Sequence, residues 1–178
     1  MMEKTSRSNA RTAFSALSLA FLVSTLAWMN TASGASKLVA VERDYVTAPP
    51  APAAQTEQEM QAKSTGCQSC HTATDEKTMH MNPAVTLGCT DCHGGDANVR
   101  KPDGADSLAD AGYLAAMEQA HVLPRYPDAW HFPSSANPER TYTLLNKESP
   151  EYVRFINPSD YRIAHEACGA CHQQIIDA

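Results

Sequence analysis

The chain has 178 residues, 14 basic against 20 acidic side chains and a formal net charge of −6, with 43% hydrophobic and only 7% aromatic residues. A surface of this sign is not built to neutralise phosphates, which excludes nucleic acid as a partner class. Few aromatics and frequent prolines agree with a low share of regular structure.

In chain order, Lys4, Arg7 and Arg11 precede an apolar run from Thr12 to Met29, which leaves through the small residues Ala32-Ser33-Gly34-Ala35. This is the pattern of a secretory signal peptide over residues 1–35, cut after Gly34 or Ala35. An uncleaved anchor is the competing reading, because about 18 apolar residues is near the lower limit for crossing a bilayer. The serines and threonines inside the run and the small-residue exit favour cleavage, hence no stable membrane span in the mature chain. The expected location is therefore outside the cytoplasm, periplasmic or at the outer surface. Loss of Lys4, Arg7, Arg11 and Glu3 takes the formal charge from −6 to −8. Residues 36–65 include Ala48-Pro49-Pro50-Ala51-Pro52-Ala53-Ala54, read as a Pro/Ala-rich linker with little to bury. The alternation of Val39 and Val41 before it also admits a short strand.

Residues 66–178 carry one pentapeptide three times: Cys67-Gln68-Ser69-Cys70-His71, Cys89-Thr90-Asp91-Cys92-His93 and Cys168-Gly169-Ala170-Cys171-His172. These use all six cysteines of the chain. Two thiols three positions apart can be joined to the two vinyl groups of one haem, and the next residue then offers its imidazole to the iron. The expected cofactors are three haem c groups, anchored by Cys67, Cys70, Cys89, Cys92, Cys168 and Cys171, with His71, His93 and His172 as proximal ligands. Zinc competes for the first two motifs, because 18 residues lie between Cys70 and Cys89, a spacing that suits a four-thiolate site. Zinc leaves Cys168, Cys171 and the three motif histidines without a role. A disulfide framework also ignores the histidines.

Between and after the motifs, Ser107 is expected to cap a helix running to about Gln119 with Leu108, Tyr113, Leu114 and Met117 on its apolar face. Pro124, Pro127, Pro133 and Pro138 make the next stretch an ordered loop. Pro150 suits the first turn of a helix holding Tyr152, Val153, Phe155 and Ile156. Asn157-Pro158 ends that helix, and Ser159 or Asp160 is expected to cap the last one, which carries His165 into the third motif. The 113 residues from Gly66 onward are too few to wrap three haems in an ordinary core. The fold expected is mainly α with extensive loops, haem-cored, with little or no β-sheet.

Four histidines lie outside the motifs, His80, His121, His131 and His165, as candidates for the distal positions of three irons. His165 ranks first, as it lies three residues before Cys168 on the same expected helix, where it would face a neighbouring haem. His80 follows, because the short link between the first two motifs keeps it near both irons. His121 and His131 compete for the third place. Methionine is the alternative ligand, with Met60, Met79, Met81 and Met117 available, and would raise the potential.

Three such motifs, spare histidines and a signal peptide resemble a multihaem c-type cytochrome of bacterial respiratory electron transfer. The resemblance runs from Cys67 to His172. It implies close-packed haems that pass electrons between redox protein partners or other haem domains. Cys168 comes 75 positions after His93, a wider gap than the small three-haem and four-haem cytochromes show. A short tail after His172 and the surplus histidine suit the amino-terminal part of a longer multihaem protein, or a third haem that docks on a partner. A non-catalytic electron carrier is the expected function. The alternative is a multihaem reductase with one open iron, whose pocket would draw on His121, Arg125, Tyr126 and His131.

Overall fold

Short helices held by local capping and tied together by loop hydrogen bonds make up this fold, as a chain rich in proline and poor in large apolar residues requires. The computed structural model describes residues 38–72, 80, 82–130 and 142–178, and among these there is no strand. The helices are α1 (Glu57–Ala62), α2 (Thr65–Gln68), α3 (Cys89–His93), α4 (Ala111–Ala120), α5 (Pro150–Ile156) and α6 (Ala164–Ile176), with single-turn or two-turn 3₁₀ segments at Pro127–Ala129 and Tyr142–Lys147. Leu38–Ala178 form one compact unit; Met1–Lys37, with the signal-peptide pattern, lie outside the described residues. No helix of the described residues is long and apolar enough to cross a membrane.

The expected mainly α fold with long loops is thus observed, while several boundaries differ. α4 starts at Ala111, not after Ser107, because the Asp110 carboxylate accepts from the Gly112 and Tyr113 amides at 2.7 and 3.1 Å. A carboxylate bonded to two of the first free N–H groups outcompetes the serine hydroxyl, which accepts from the Ala109 amide in the preceding turn at 3.3 Å. α5 begins as its sequence dictates, with Ser149 as N-cap and Pro150 in the first turn, and it ends at Asn157. α6 has no side-chain cap: Ile163 stands at its N-cap, and Asp160 is taken by Arg162, whose Nε and Nη2 donate to its carboxylate at 2.7 and 2.6 Å.

The stretch read as a spacer is, from Leu38 onward, packed on the rest of the unit. The Val41 amide donates to the Arg125 carbonyl at 2.7 Å, Arg43 Nε to the Pro124 carbonyl at 2.6 Å and the Tyr45 hydroxyl to the Leu123 carbonyl at 2.8 Å. Ala51, in the middle of the Pro/Ala run, is buried and its amide reaches the Glu166 carbonyl. Polyproline backbone leaves its polar groups unpaired within itself, so carbonyls and amides from elsewhere can dock on it. Val39 and Val41 belong to this extended segment and form no strand.

A small side-chain core gathers Ala129, Trp130, Leu145, Tyr152, Val153 and Ile163, with Leu38, Val122 and Ile156 packed against it. Trp130 meets Tyr152 edge-on at 5.3 Å and donates through Nε1 to the buried Glu148 carboxylate at 2.9 Å. α5 places Tyr152 and Val153 in this core, while Phe155 and Ile156 form part of the wall of a cavity. One short helix therefore separates two interiors.

Candidate functional site

Residues i, i+3 and i+4 of a helix share a face, so the C-x-x-C-H spacing on a helical turn presents two thiols and an imidazole together. The backbone bears this out at the first motif, where the His71 amide bonds to the Cys67 carbonyl at 2.9 Å. Just before it, Gly66 lies so close to the 97–99 loop that a methyl group there would sit 2.1 Å from the Ala97 carbonyl oxygen. The second motif is α3 itself, closed by Gly94 at φ +67°, a conformation that suits glycine. The third ends in a kink at His172, whose φ of −120° and ψ of 16° leave the helical region.

All three motifs open onto one cavity of about 780 Å³, lined by their six cysteines and three histidines together with His80 and His121. That volume is in the upper part of the range of small-molecule and cofactor sites. Val85, Leu87, Val99, Met117, Phe155 and Ile156 supply apolar wall, and Arg100 and Lys101 add two cations, with Lys101 also paired to Asp106. α3 packs against both α5 and α6, which brings the second and third motifs side by side across a long sequence gap.

Burial acts on the ionisable groups of the cavity wall in opposite senses: it keeps a thiol protonated and an imidazole neutral. Burial, and after it the nearby Cys168, pushes the Cys92 thiol up. Burial, and next the adjacent His71, pushes His121 down to about 4, so at neutral pH its imidazole is uncharged with a lone pair to give. His93 Nδ1 lies 2.7 Å from the Phe155 carbonyl. Donation from Nδ1 to that carbonyl fixes the tautomer and leaves Nε2 as the free donor to a metal, the arrangement metal-bound histidines adopt. Cys70, Cys92, Cys168 and Cys171 carry thiols not joined in disulfides. Among the described residues no three of His, Cys, Asp and Glu converge to hold a metal ion, so Cys67, Cys70, Cys89 and Cys92 are not drawn into a four-thiolate cage. Paired thiols on one helical face, an imidazole beside each pair and an apolar hollow in front of all three fit a haem c set.

The candidate distal histidines separate by place. His121, at the C-terminus of α4, faces the cavity with its ring 6.1 Å from that of His71 and 4.9 Å from Phe155. His80 faces it with its ring 6.4 Å from that of His172. His165 is on α6 but off the cavity wall, half exposed, with Nε2 3.2 Å from the Glu166 carboxylate. It stands in the first turn of α6, where its ring turns to the neighbouring carboxylate instead of the cavity. His131, Met79 and Met81 lie outside the described residues, and Met60 is the buried residue of α1, its carbonyl accepting from the Ser64 hydroxyl. The Arg125 and Tyr126 amides donate to the Glu148 carboxylate at 2.6 and 3.1 Å, and neither residue lines the cavity.

Two residues of the site escaped the sequence reading. Arg154 is buried at 4% exposure, and its guanidinium donates to the carbonyls of Ala48, Pro49, Asp91 and Cys92 at 2.7–3.2 Å. It locks the Pro/Ala segment onto the second motif. A charged residue inside the apolar run Tyr152-Val153-Arg154-Phe155-Ile156 was the signal for it. Phe155 is the second, touching His93 and His121 with its ring and His93 with its carbonyl. Asp91, inside the second motif, is also buried, and holds Lys63 at 2.6 Å, Gln55 at 2.5 Å and the Gly88 amide at 2.7 Å. No family model, curated protein or solved structure matches this chain.

Proposed function

We propose that the chain is an exported electron-transfer protein that carries three covalently attached c-type haems and relays electrons between redox partners outside the cytoplasm. The observation that carries this reading is the single cavity on which six motif cysteines and five histidines converge. Bound there, the haems would supply the one-electron chemistry. The chain's own work is to anchor, orient and insulate. Cys67 and Cys70, Cys89 and Cys92, and Cys168 and Cys171 form the thioether bonds. His71, His93 and His172 give a nitrogen to each iron, and the carbonyl of Phe155 holds His93 in the tautomer that can do so. The apolar wall from Val85 to Ile156 would keep water off and favour the less charged ferrous state, which raises a potential, while imidazole ligands would lower it. Arg100 and Lys101 at the rim can neutralise propionates.

The experiment is haem per polypeptide, by alkaline pyridine haemochrome spectrum and intact mass on protein made in a host with c-type maturation. Three thioether-bound haems per chain is the expected result. Zinc bound in their place would end this reading.

A further inference from the structure

The geometry points to a crossed ligand set: His121 is the second axial ligand of the iron held by His71, and His80 is the second axial ligand of the iron held by His172. The assignment rests on the three-haem reading above and goes beyond it by saying which segment closes which centre.

Two distances carry it. The rings of His71 and His121 are centred 6.1 Å apart with planes 34° apart, and those of His80 and His172 are 6.4 Å and 29° apart. Two imidazoles on opposite sides of one metal ion, each with a metal–nitrogen bond of about 2 Å, have their centres about 6 Å apart. A direct N–H to N hydrogen bond of about 2.9 Å would bring the centres to about 5 Å, nearer than either pair. Ring contacts with Phe155 in the same cavity fall on either side of the ligand-pair distance, at 4.9 Å for His121 and 6.5 Å, edge-on, for His93, whereas the two histidine pairs meet at 34° and 29° and both lie close to 6 Å. All four histidines line the cavity. Both pairs therefore have the spacing of ligands trans to each other across one atom.

The number of donors agrees. A haem iron takes four nitrogens from the porphyrin and needs only two from protein, so its site consists of histidine pairs without a third donor. Among the described residues there are two such pairs and no triad of His, Cys, Asp and Glu.

The consequence is an interlocked unit. His80 belongs to the link between the first and second motifs yet closes the third centre, and His121 at the end of α4 closes the first. With α3 packed on α6, the second and third motifs are also joined by helix contact. Imidazole on both faces of the first and third irons also confines any open coordination position to the second centre, behind His93.

The test uses the full chain loaded with haem. His121→Met and His80→Met each replace one imidazole with a thioether. Each is expected to convert one of three haems from bis-histidine to histidine–methionine ligation, read as a new far-red charge-transfer band in the oxidised protein and a rise in one of three potentials. The pairing is read in backgrounds that lack one haem. With Cys67→Ala and Cys70→Ala in place, His121→Met is expected to lose its effect while His80→Met keeps it. With Cys168→Ala and Cys171→Ala the pattern reverses. Should a methionine variant load poorly, His121→Gly and His80→Gly are titrated with imidazole, which is expected to return one high-spin haem to the low-spin form. If haem-replete protein shows no change with either variant, if His165→Met produces the change instead, or if the effects vanish in the opposite backgrounds, the assignment falls and the three-haem reading stands. Absence of covalent haem from the unsubstituted chain would end both.

Discussion

Gly66 has no room for a methyl group: its Cβ would lie 2.1 and 2.3 Å from two backbone oxygens, those of Ala97 and Val99. Backbone cannot retreat as a side-chain tip can, so Gly66→Ala has to push the first motif away from the 97–99 loop. We expect it to destabilise the chain by about 3 kcal/mol and to lower haem loading at Cys67 and Cys70 selectively, measured by denaturant unfolding and peptide mass mapping. Tyr152 shows the opposite case. It is fully buried, and its hydroxyl is a polar atom without a hydrogen-bond partner. Tyr152→Phe removes a desolvated group that gains nothing, so the change should be neutral or stabilising by about 1 kcal/mol. Burial first, and then Glu148, push the Tyr152 phenol well above its usual range. Above about pH 10 an unfolded chain ionises this tyrosine while the folded one does not, so stability is full below that pH and falls as pH rises past it. Tyr152→Phe should accordingly move the alkaline unfolding midpoint upward; an unchanged midpoint would show that the phenol does not govern it.

Among the elements, α5 does the most joining for its length. Its Arg154 bonds to four carbonyls from the Pro/Ala segment and α3, and a methionine there fills the volume but leaves those oxygens buried without donors. Arg154→Met is expected to cost about 3 kcal/mol, and to open the segment around Ala48 and Pro49 to protease before the rest of the unit unfolds. Arg154→Lys should recover only part of the loss, since an ammonium cannot reach four oxygens in a fork. At α4 the two candidate caps can be separated. Asp110→Ala should cost about 1 kcal/mol and Ser107→Ala close to nothing, by thermal or denaturant unfolding of both variants. The start and cap of α5 were legible because Ser149 and Pro150 are strong local signals. The caps of α4 and α6 were not, since several capable residues stand in a row at each, and which one wins depends on where the tertiary structure lets the helix begin.

For the molecule as a whole, the side-chain core around Trp130 and Tyr152 is small, and the larger hollow is the one walled by the motifs. A chain made without haem attachment is therefore expected to unfold at lower denaturant and over a broader range than the loaded protein, and far-UV and near-UV circular dichroism during unfolding would check it. Much of the candidate site could be read in the sequence. C-x-x-C-H is local chemistry, and on a turn of helix its three donors face one way whatever surrounds them. The mainly α, loop-rich class followed as well, from short apolar runs broken by prolines. The docking of residues 38–56 could not be read, because polyproline backbone is held by partners that lie far away, Arg154 above all. The distal histidines could not be ranked for the same reason. His165 ranked first by its distance along the chain from Cys168, and its ring stands half exposed beside Glu166, off the cavity wall, a rotamer choice that helical spacing does not set. The sequence by itself determined which residues can bond covalently to a haem and which imidazole follows each pair, since that depends on spacing within one helical turn. Only the tertiary structure decided that the three motifs share a cavity and which histidines stand opposite which, because those relations join segments whose separation along the chain carries no information about their distance in space.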